Sequence, residues 1–143
     1  MTDDTHRVMV GGKAMNFYGS NRLTSDIDYL VWEPGRDLFY QHDDGDIINA
    51  AAHPVLRDIW QEEQGRQIVS VQGLLELKAF AFINHCQNGH FRKSYDDEYD
   101  IKFLVDKFGL QDVPVIRRHM GPGEYQEVKK IIDMVLEHRR RAT

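Results

Sequence analysis

Hydrophobic and polar positions change their period several times along the chain. Short runs that alternate, or that are rich in β-branched and aromatic residues, predict strands over residues 7–10, 27–32, 46–50 and 67–71. Apolar residues at helical spacing predict helices over 13–18, 54–64, 74–86, 96–108 and 124–140. Polar segments at 19–25 and 41–45 predict loops. This order predicts an α/β or α+β fold, with a small mixed sheet and helices packed on it.

Length and composition fit one ordinary globular domain. The chain has 143 residues, of which 41% are hydrophobic and 29% are charged. The sequence shows no apolar run of membrane-spanning length and no signal-peptide pattern, so the expected location is the cytoplasm, without a membrane partner. The single cysteine, Cys86, excludes an internal disulfide.

The net charge of -5 disfavours binding to a nucleic-acid duplex over a wide surface. Basic residues are nevertheless concentrated at 117–119 and 138–141. These clusters could form a local basic patch on an acidic body. They could equally be positively charged helix ends that complement the helix dipole.

The segment of greatest chemical interest is VMVGGKAMNFYGSNRLTSDIDYLVW, residues 8–32. Asp26 and Asp28 are two residues apart at the start of a predicted strand, so their side chains should project from the same face. Two adjacent carboxylates repel each other unless a cation or a proton intervenes. Mg²⁺ prefers such oxygen ligands and shares its coordination with substrate phosphates. The pair therefore suits a metal that also binds a nucleoside triphosphate.

A pair of glycines, separated from Asp26 by thirteen residues, supplies a second feature for phosphate binding. Gly11 and Gly12 would let the backbone approach a ligand closely, and the helix that follows presents unsatisfied N–H groups to anions. Lys13 can add a positive charge in the first turn of that helix. This combination is typical of phosphoryl transfer, in which positioning and charge neutralisation supply most of the catalysis.

The stretch GGKAMNFYGSNRLTSDID resembles the signature of the nucleotidyltransferase superfamily, which has the DNA-polymerase-beta-like fold. It is similar in particular to the toxin-type branch of toxin–antitoxin and phage-defence systems. LLELK at 74–78 and RKSYDDEYDIKFL at 92–104 resemble two later helices of that branch, so the likeness covers about residues 8–105. It implies a nucleotidyltransferase core over 1–110 and a C-terminal helical extension of the same domain over 111–143.

The resemblance also implies a third acid that completes a metal site for Mg²⁺ or Mn²⁺. Asp46 is the candidate, because it begins an apolar run as the earlier acids do. The gap from Asp28 is short, and Asp46 could instead be a loop residue in the acid-rich turn that begins at Asp43. Arg22 and Thr24 lie in the loop before the acids and are candidates for binding the triphosphate, although Arg22 could equally be a loop arginine without a role.

Three residues of the later helices are candidates for catalytic roles by the same resemblance. Lys78 is expected to face the phosphates or the acid cluster, although a lysine on an apolar helix face could also extend its ammonium to solvent. Asp97 and Asp100 are three residues apart and could share a helix face. The alternative for them is a solvated, acidic helix start.

The function implied is the transfer of a nucleoside monophosphate, from ATP or another triphosphate, to an acceptor hydroxyl. The acceptor could be the 3′ end of tRNA or another RNA, a protein or a small molecule, and the enzyme could serve as a toxin or a defence component. A partner protein or a second copy could hold that acceptor. Two alternatives stay open: a non-catalytic relative that acts as antitoxin, sensor or scaffold, and a hydrolase or nuclease that uses the same acids.

Overall fold

The computed structural model describes residues 7–24, 27–43 and 45–142. The described residues form four strands, β1 Arg7–Val10, β2 Asp28–Val31, β3 Phe39–His42 and β4 Gly45–Asn49. The helices are α1 Gly11–Phe17, α2 Pro54–Glu63, α3 Val71–Gln87, α4 Phe91–Phe108, α5 Pro114–His119 and α6 Pro122–Arg141, with a short 3-10 helix at Ala50–Ala52. This composition confirms the predicted mixture of helices and a small sheet.

The four strands form one mixed sheet in the order β1-β2-β4-β3. The β1–β2 and β3–β4 pairs are antiparallel, whereas β2 and β4 are parallel. A further bridge joins Ile68 to Met9 in parallel at the outer side of β1. The strand predicted over 67–71 is therefore reduced to this bridge, because Val71 already begins α3.

Backbone contacts divide the chain into two compact units, Met1–Leu74 and Leu75–Thr143. In the first unit α1 packs against β1 and β2. Its core contains side chains that are at most 2% exposed, among them Val8, Val10, Leu30, Leu56 and Ile59. In the second unit α6 packs against α4 and α5, around the buried residues Ile101, Leu104, Ile116, Val128 and Ile132. The functional division predicted at residue 110 stays a prediction.

Several element boundaries differ from the predicted ones. The loop predicted over 41–45 is wrong at both ends, because β3 extends to His42 and β4 begins at Gly45. Helix α4 begins at Phe91, five residues before the predicted start, and ends as predicted at Gly109, whose φ of 67° is left-handed. Helix α5 has only 6 residues and was not predicted. None of the helices in the described part of the chain is long and apolar enough to cross a membrane.

Candidate metal and phosphate site

Asp28 and Asp46 lie on neighbouring strands at the same end of the sheet. Asp28 begins β2, Asp46 is the second residue of β4, and the two are register partners in the parallel pair. Register partners project from the same face, and adjacent strands are about 4.8 Å apart. The structure therefore brings these two predicted acids side by side. It also places Asp46 within a strand and not in the acid-rich turn that was its alternative.

Gly45 makes this pairing possible. Its φ is 152°, and a Cβ at this position would overlap the carbonyl oxygen of Ile27. Without that side chain, the N–H of Asp46 donates a hydrogen bond of 2.9 Å to the Ile27 carbonyl. Glycine at this position thus lets β4 approach the start of β2, which is where Asp28 lies.

Gly11 lies against the carboxylate of Asp28. Its φ is 68°, a left-handed conformation that glycine adopts without strain. A Cβ at this position would overlap Oδ2 of Asp28 and come within 3.0 Å of its Cγ. The strand-to-helix turn between β1 and α1 is therefore adjacent to one of the predicted metal-binding acids.

Gly12 and Lys13 occupy the first turn of α1 next to Gly11. A Cβ on Gly12 would lie 2.7 Å from both Oγ1 and Cγ2 of Thr24, so the loop over 19–24 contacts the start of the helix. Lys13 is half-buried. Gly12 and Thr24, two of the positions predicted to bind phosphate, are thus close together, and Lys13 follows Gly12 directly in the chain.

Asn16 holds the loop that carries Arg22. The side-chain amide of Asn16 donates hydrogen bonds of 3.1 Å to the carbonyl of Ser20 and 2.8 Å to the carbonyl of Arg22. The backbone N–H of Arg22 also donates to Oγ of Ser20 at 3.2 Å. Helix α1 therefore orients both the glycine turn and the loop that precedes the acids.

Asp26 lies outside the described residues, so the geometry of the predicted Asp26–Asp28–Asp46 set stays a prediction. Within residues 7–24, 27–43 and 45–142, no group of three or more His, Cys, Asp or Glu side chains is arranged to hold a metal ion. Because Asp26 is not among these residues, this statement does not apply to a set that includes it. The two described acids supply hard oxygen ligands, the type that Mg²⁺ prefers.

The second unit contains a buried cluster of charged residues between α3 and α4. Nζ of Lys78 lies 2.8 Å from Oδ2 of Asp100, and the two residues are 8% and 0% exposed. Lys78 therefore does not extend its ammonium to solvent, which was one of its two predicted alternatives. Its partner is one of the predicted acids, and the two opposite charges form a buried ion pair.

Asp97 lies on the same side of α4 and pairs with His85, which was not among the predicted catalytic residues. Its Oδ2 is 2.5 Å from Nδ1 of His85. Burial raises the pKa of Asp97 above its usual value, and the hydrogen bond with His85 and the charge of Lys78 act in the opposite direction. A solvated acidic helix start, the alternative for Asp97, is wrong because Asp97 is buried in the interior of α4.

A sequence signal for His85 exists in retrospect. His85 follows Lys78 by seven residues, which is about two helical turns, so both side chains lie on one face of α3. Asp97 and Asp100 are spaced by three residues and face them from α4. Basic residues on one face of α3 and acids on one face of the next long helix would have indicated the pairing.

Comparisons of the chain with protein-family models, with curated proteins and with solved structures found no match. Likeness to another protein thus assigns no function here. A function has to be argued from the residues of this chain and from the contacts that they make.

Proposed function

We propose that this protein is a metal-dependent nucleotidyltransferase with a nucleotidyltransferase fold, which transfers a nucleoside monophosphate from a triphosphate to an acceptor hydroxyl. The observation that supports this most directly is the register pairing of Asp28 with Asp46, with the Gly11 turn against the Asp28 carboxylate. Two hard acids beside a backbone turn free of side chains can accommodate a cation together with the phosphates it binds.

The residues present fit a divalent cation. Asp28 and Asp46 offer carboxylate oxygens from one face of the sheet, and a side chain at position 11 would occupy the space beside the Asp28 carboxylate. Asp28 and Asp46, with Asp26 as the remaining candidate, would hold Mg²⁺ or Mn²⁺. When bound, the ion would offset the phosphate charge and acidify the acceptor hydroxyl.

The other residues of the site would bind and orient the triphosphate. Gly11 and Gly12 leave room for phosphate oxygens, and the ammonium of Lys13 would offset part of their charge. Thr24 and Arg22 lie on the loop that Asn16 fixes over the first turn of α1, so they would contact the same phosphates.

The transfer itself is a substitution at the α-phosphorus. The acceptor hydroxyl loses its proton, and its oxygen forms a bond to the α-phosphorus. The bond from that phosphorus to the oxygen bridging to the β-phosphate breaks, and pyrophosphate leaves. The acceptor could be RNA, including tRNA, a protein or a small molecule, and the activity could serve in a toxin–antitoxin or phage-defence system.

A catalytic role for Lys78, Asp97 and Asp100 stays a prediction from the resemblance. The Lys78–Asp100 and Asp97–His85 contacts account for the burial of these residues, because both pairs lie within the second unit. A structural role predicts that replacing them lowers stability before it lowers turnover.

The decisive experiment uses purified protein, Mg²⁺, each nucleoside triphosphate labelled at the α-phosphate, and total cellular RNA or protein as acceptor. Label should appear on the acceptor with the α-label and not with a γ-label, because the γ-phosphate leaves in pyrophosphate. Free nucleoside monophosphate without a labelled acceptor would indicate a hydrolase. Nucleotide binding without any product would indicate a non-catalytic relative.

Three asparagine variants locate the activity. Asp28→Asn should abolish transfer, whereas Asp46→Asn should retain triphosphate binding and lose transfer by orders of magnitude, because the second acid is needed to position the attacking hydroxyl. Asp43→Asn removes an exposed acid from the adjacent β3–β4 turn and serves as the matched control. Wild-type transfer in Asp46→Asn would remove Asp46 from the site.

A further inference from the structure

The outward face of α4 carries charged and aromatic residues at the spacing found in helix–helix contacts. Arg92, Tyr95, Tyr99, Lys102 and Asp106 follow one another at intervals of 3, 4, 3 and 4 residues. This is the heptad spacing that places side chains in one line along a helix. We call these five residues the α4 seam.

The α4 seam is exposed, and the opposite face of the helix is in the core. Tyr95 and Tyr99 are 71% and 55% exposed, and Phe91 at the helix start is 65% exposed. Ile101 and Leu104 on the other face are fully buried. Exposed aromatic residues on consecutive turns of a helix are typical of a surface that meets another protein.

We propose that the α4 seam is the interface of a homodimer in which a second copy of α4 packs antiparallel, with Tyr99 at the two-fold axis. Arg92 precedes Tyr99 by seven residues and Asp106 follows it by seven. Reversal of the helix about Tyr99 therefore sets each Arg92 opposite the Asp106 of the other copy. The symmetry produces this ion pair twice.

The remaining seam positions agree with the same arrangement. Tyr95 precedes Tyr99 by four residues and Lys102 follows it by three, so the ammonium of one copy lies beside the tyrosine ring of the other, a favourable cation–π contact. A parallel arrangement would instead oppose Arg92 to Arg92, Lys102 to Lys102 and Asp106 to Asp106. The charges thus favour the antiparallel dimer and disfavour the parallel one.

Existing contacts within the chain are compatible with the dimer. Lys102 forms an ion pair of 2.9 Å with Glu98 on the flank of the seam, where both side chains remain partly exposed. Asp106 accepts a hydrogen bond from Nε of Arg139 through its backbone carbonyl, and its side chain is exposed. The ion pair lies beside the tyrosines, and the Arg139 contact uses only the backbone of Asp106, so neither contact occupies the Asp106 carboxylate that would pair with Arg92.

The size of the seam indicates a weak dimer. A fully buried aromatic side chain contributes about 150–250 Å². The area per copy is therefore roughly 500 Å² when it includes the exposed parts of Tyr95, Tyr99 and the adjoining Phe91 and the aliphatic stems of Arg92 and Lys102. The total of about 1,000 Å² lies at the lower end of specific interfaces. The dimer should therefore dissociate on dilution.

Sedimentation equilibrium of the full chain over roughly 5 to 500 µM, the range suited to an interface of this size, tests the proposal. The wild type should change from monomer to dimer with concentration. Tyr99→Glu places two carboxylates at the axis and should stay monomeric. Met134→Glu is the control, because Met134 is 57% exposed on α6 and does not belong to the seam, so this variant should dimerise as the wild type does.

Exchanging the charges at positions 92 and 106 gives a second test, in which unfolding of a variant cannot be mistaken for loss of the dimer. Arg92→Asp and Asp106→Arg should each weaken the dimer at least about tenfold, because each variant opposes two like charges twice. The double variant should restore the wild-type dissociation constant. Both substitutions also suit the helix dipole, so the monomer should remain folded by circular dichroism.

Three results would overturn the proposal: a wild type that is monomeric throughout, a dimer that survives in Tyr99→Glu, or no restoration in the double variant. Loss of the dimer in Met134→Glu would move the interface to α6. If the monomeric wild type binds a short polyuridine strand and Tyr99→Glu does not, the α4 seam is an RNA surface instead. None of these results depends on transferase activity, so this proposal and the proposed function can fail separately.

Discussion

Replacement of Gly11 by alanine should impair ligand binding by the first unit while leaving the unit folded. The φ of 68° costs an alanine about 1–2 kcal/mol relative to glycine, part of which is offset by the lower entropy of the unfolded chain. The new Cβ would also overlap Oδ2 of Asp28 and lie within 3.0 Å of Cγ. Because a carboxylate can rotate away, we expect a stability loss of only about 1–3 kcal/mol, but a displaced Asp28.

The chain offers matched controls for the backbone part of this effect. Gly35 and Gly65 have φ of 88° and 89°, and a Cβ on either would meet no atom within 4 Å. Alanine at these positions should therefore cost about 1 kcal/mol from the backbone alone. The excess loss in Gly11→Ala is then the cost of displacing Asp28.

A double-mutant cycle identifies that excess. In an Asp28→Ala background the carboxylate is absent and only the Cβ of residue 28 remains close, at 3.1 Å. Gly11→Ala should therefore lower the free energy of unfolding less than it does in the wild-type background, by an amount closer to that of the Gly35 and Gly65 controls. The measurements are urea denaturation for stability and calorimetric titration with Mg²⁺ and a nucleoside triphosphate for binding. Gly11→Ala should lose binding at temperatures where it remains folded, whereas both control variants should retain it.

Two outcomes would refute this reasoning. If Gly11→Ala binds the metal–nucleotide complex as the wild type does, the glycine turn and Asp28 do not form the site. If the cost of Gly11→Ala is the same with and without the Asp28 carboxylate, the two residues do not interact as the geometry indicates.

Three further predictions concern the scaffold. Lys78→Met should lower the free energy of unfolding by about 3–5 kcal/mol, because it leaves the Asp100 carboxylate buried without its partner. In urea denaturation the double variant Lys78→Met, Asp100→Leu should regain most of that loss, and equal stability of the single variant and the wild type would contradict the prediction. Burial raises the pKa of Glu76 from the usual 4.5 to about 7, against the opposing effect of two backbone N–H groups at the start of α5. The stabilisation from the bound proton is thus complete below pH 4.5 and is lost as the pH rises to about 7. Between these pH values the free energy of unfolding of the wild type should fall by about 3 kcal/mol relative to that of Glu76→Gln. A difference between the two proteins that does not change with pH would refute this prediction. Asn49→Asp should lower the free energy of unfolding by about 2–4 kcal/mol. The buried amide of Asn49 donates hydrogen bonds of 2.8 and 3.0 Å to two carbonyls of the β2–β3 connection, and a carboxylate cannot donate them. An unchanged midpoint in thermal or urea unfolding would contradict this prediction.

The prediction of Asp46 as a partner of Asp28 shows how far a local pattern extends. An acid at the start of an apolar run indicates a strand start, and β4 confirmed it. The parallel register that sets the two residues side by side depends on β4 lying next to β2, although β3 is the nearer strand in sequence. Periodicity contains no information about which strands are neighbours.

For the charged residues of α3 and α4, the local sequence pattern gave the wrong expectation. An acidic cluster at 96–98 has the composition of a first helical turn, and the sequence therefore predicted that the helix began there. In the structure α4 begins at Phe91, so Asp97 is turned inward to His85 and Asp100 to Lys78. The partners that make burial of these acids tolerable are supplied by a different helix.

The sequence by itself determined the type and approximate position of the long elements, because hydrophobic period, glycine at turns and proline at helix starts act over a few residues. It also determined that a helix lies at the glycine pair, although that helix begins at Gly11 and not at the predicted Lys13, and that Asp28 lies at the start of a strand. Only the tertiary structure decided that Asp46 aligns with Asp28, that Gly11 lies against its carboxylate, and that Lys78 is buried with Asp100. Those arrangements depend on contacts between segments distant in the chain, where sheet order, helix packing and the cost of burying charge outweigh local preference.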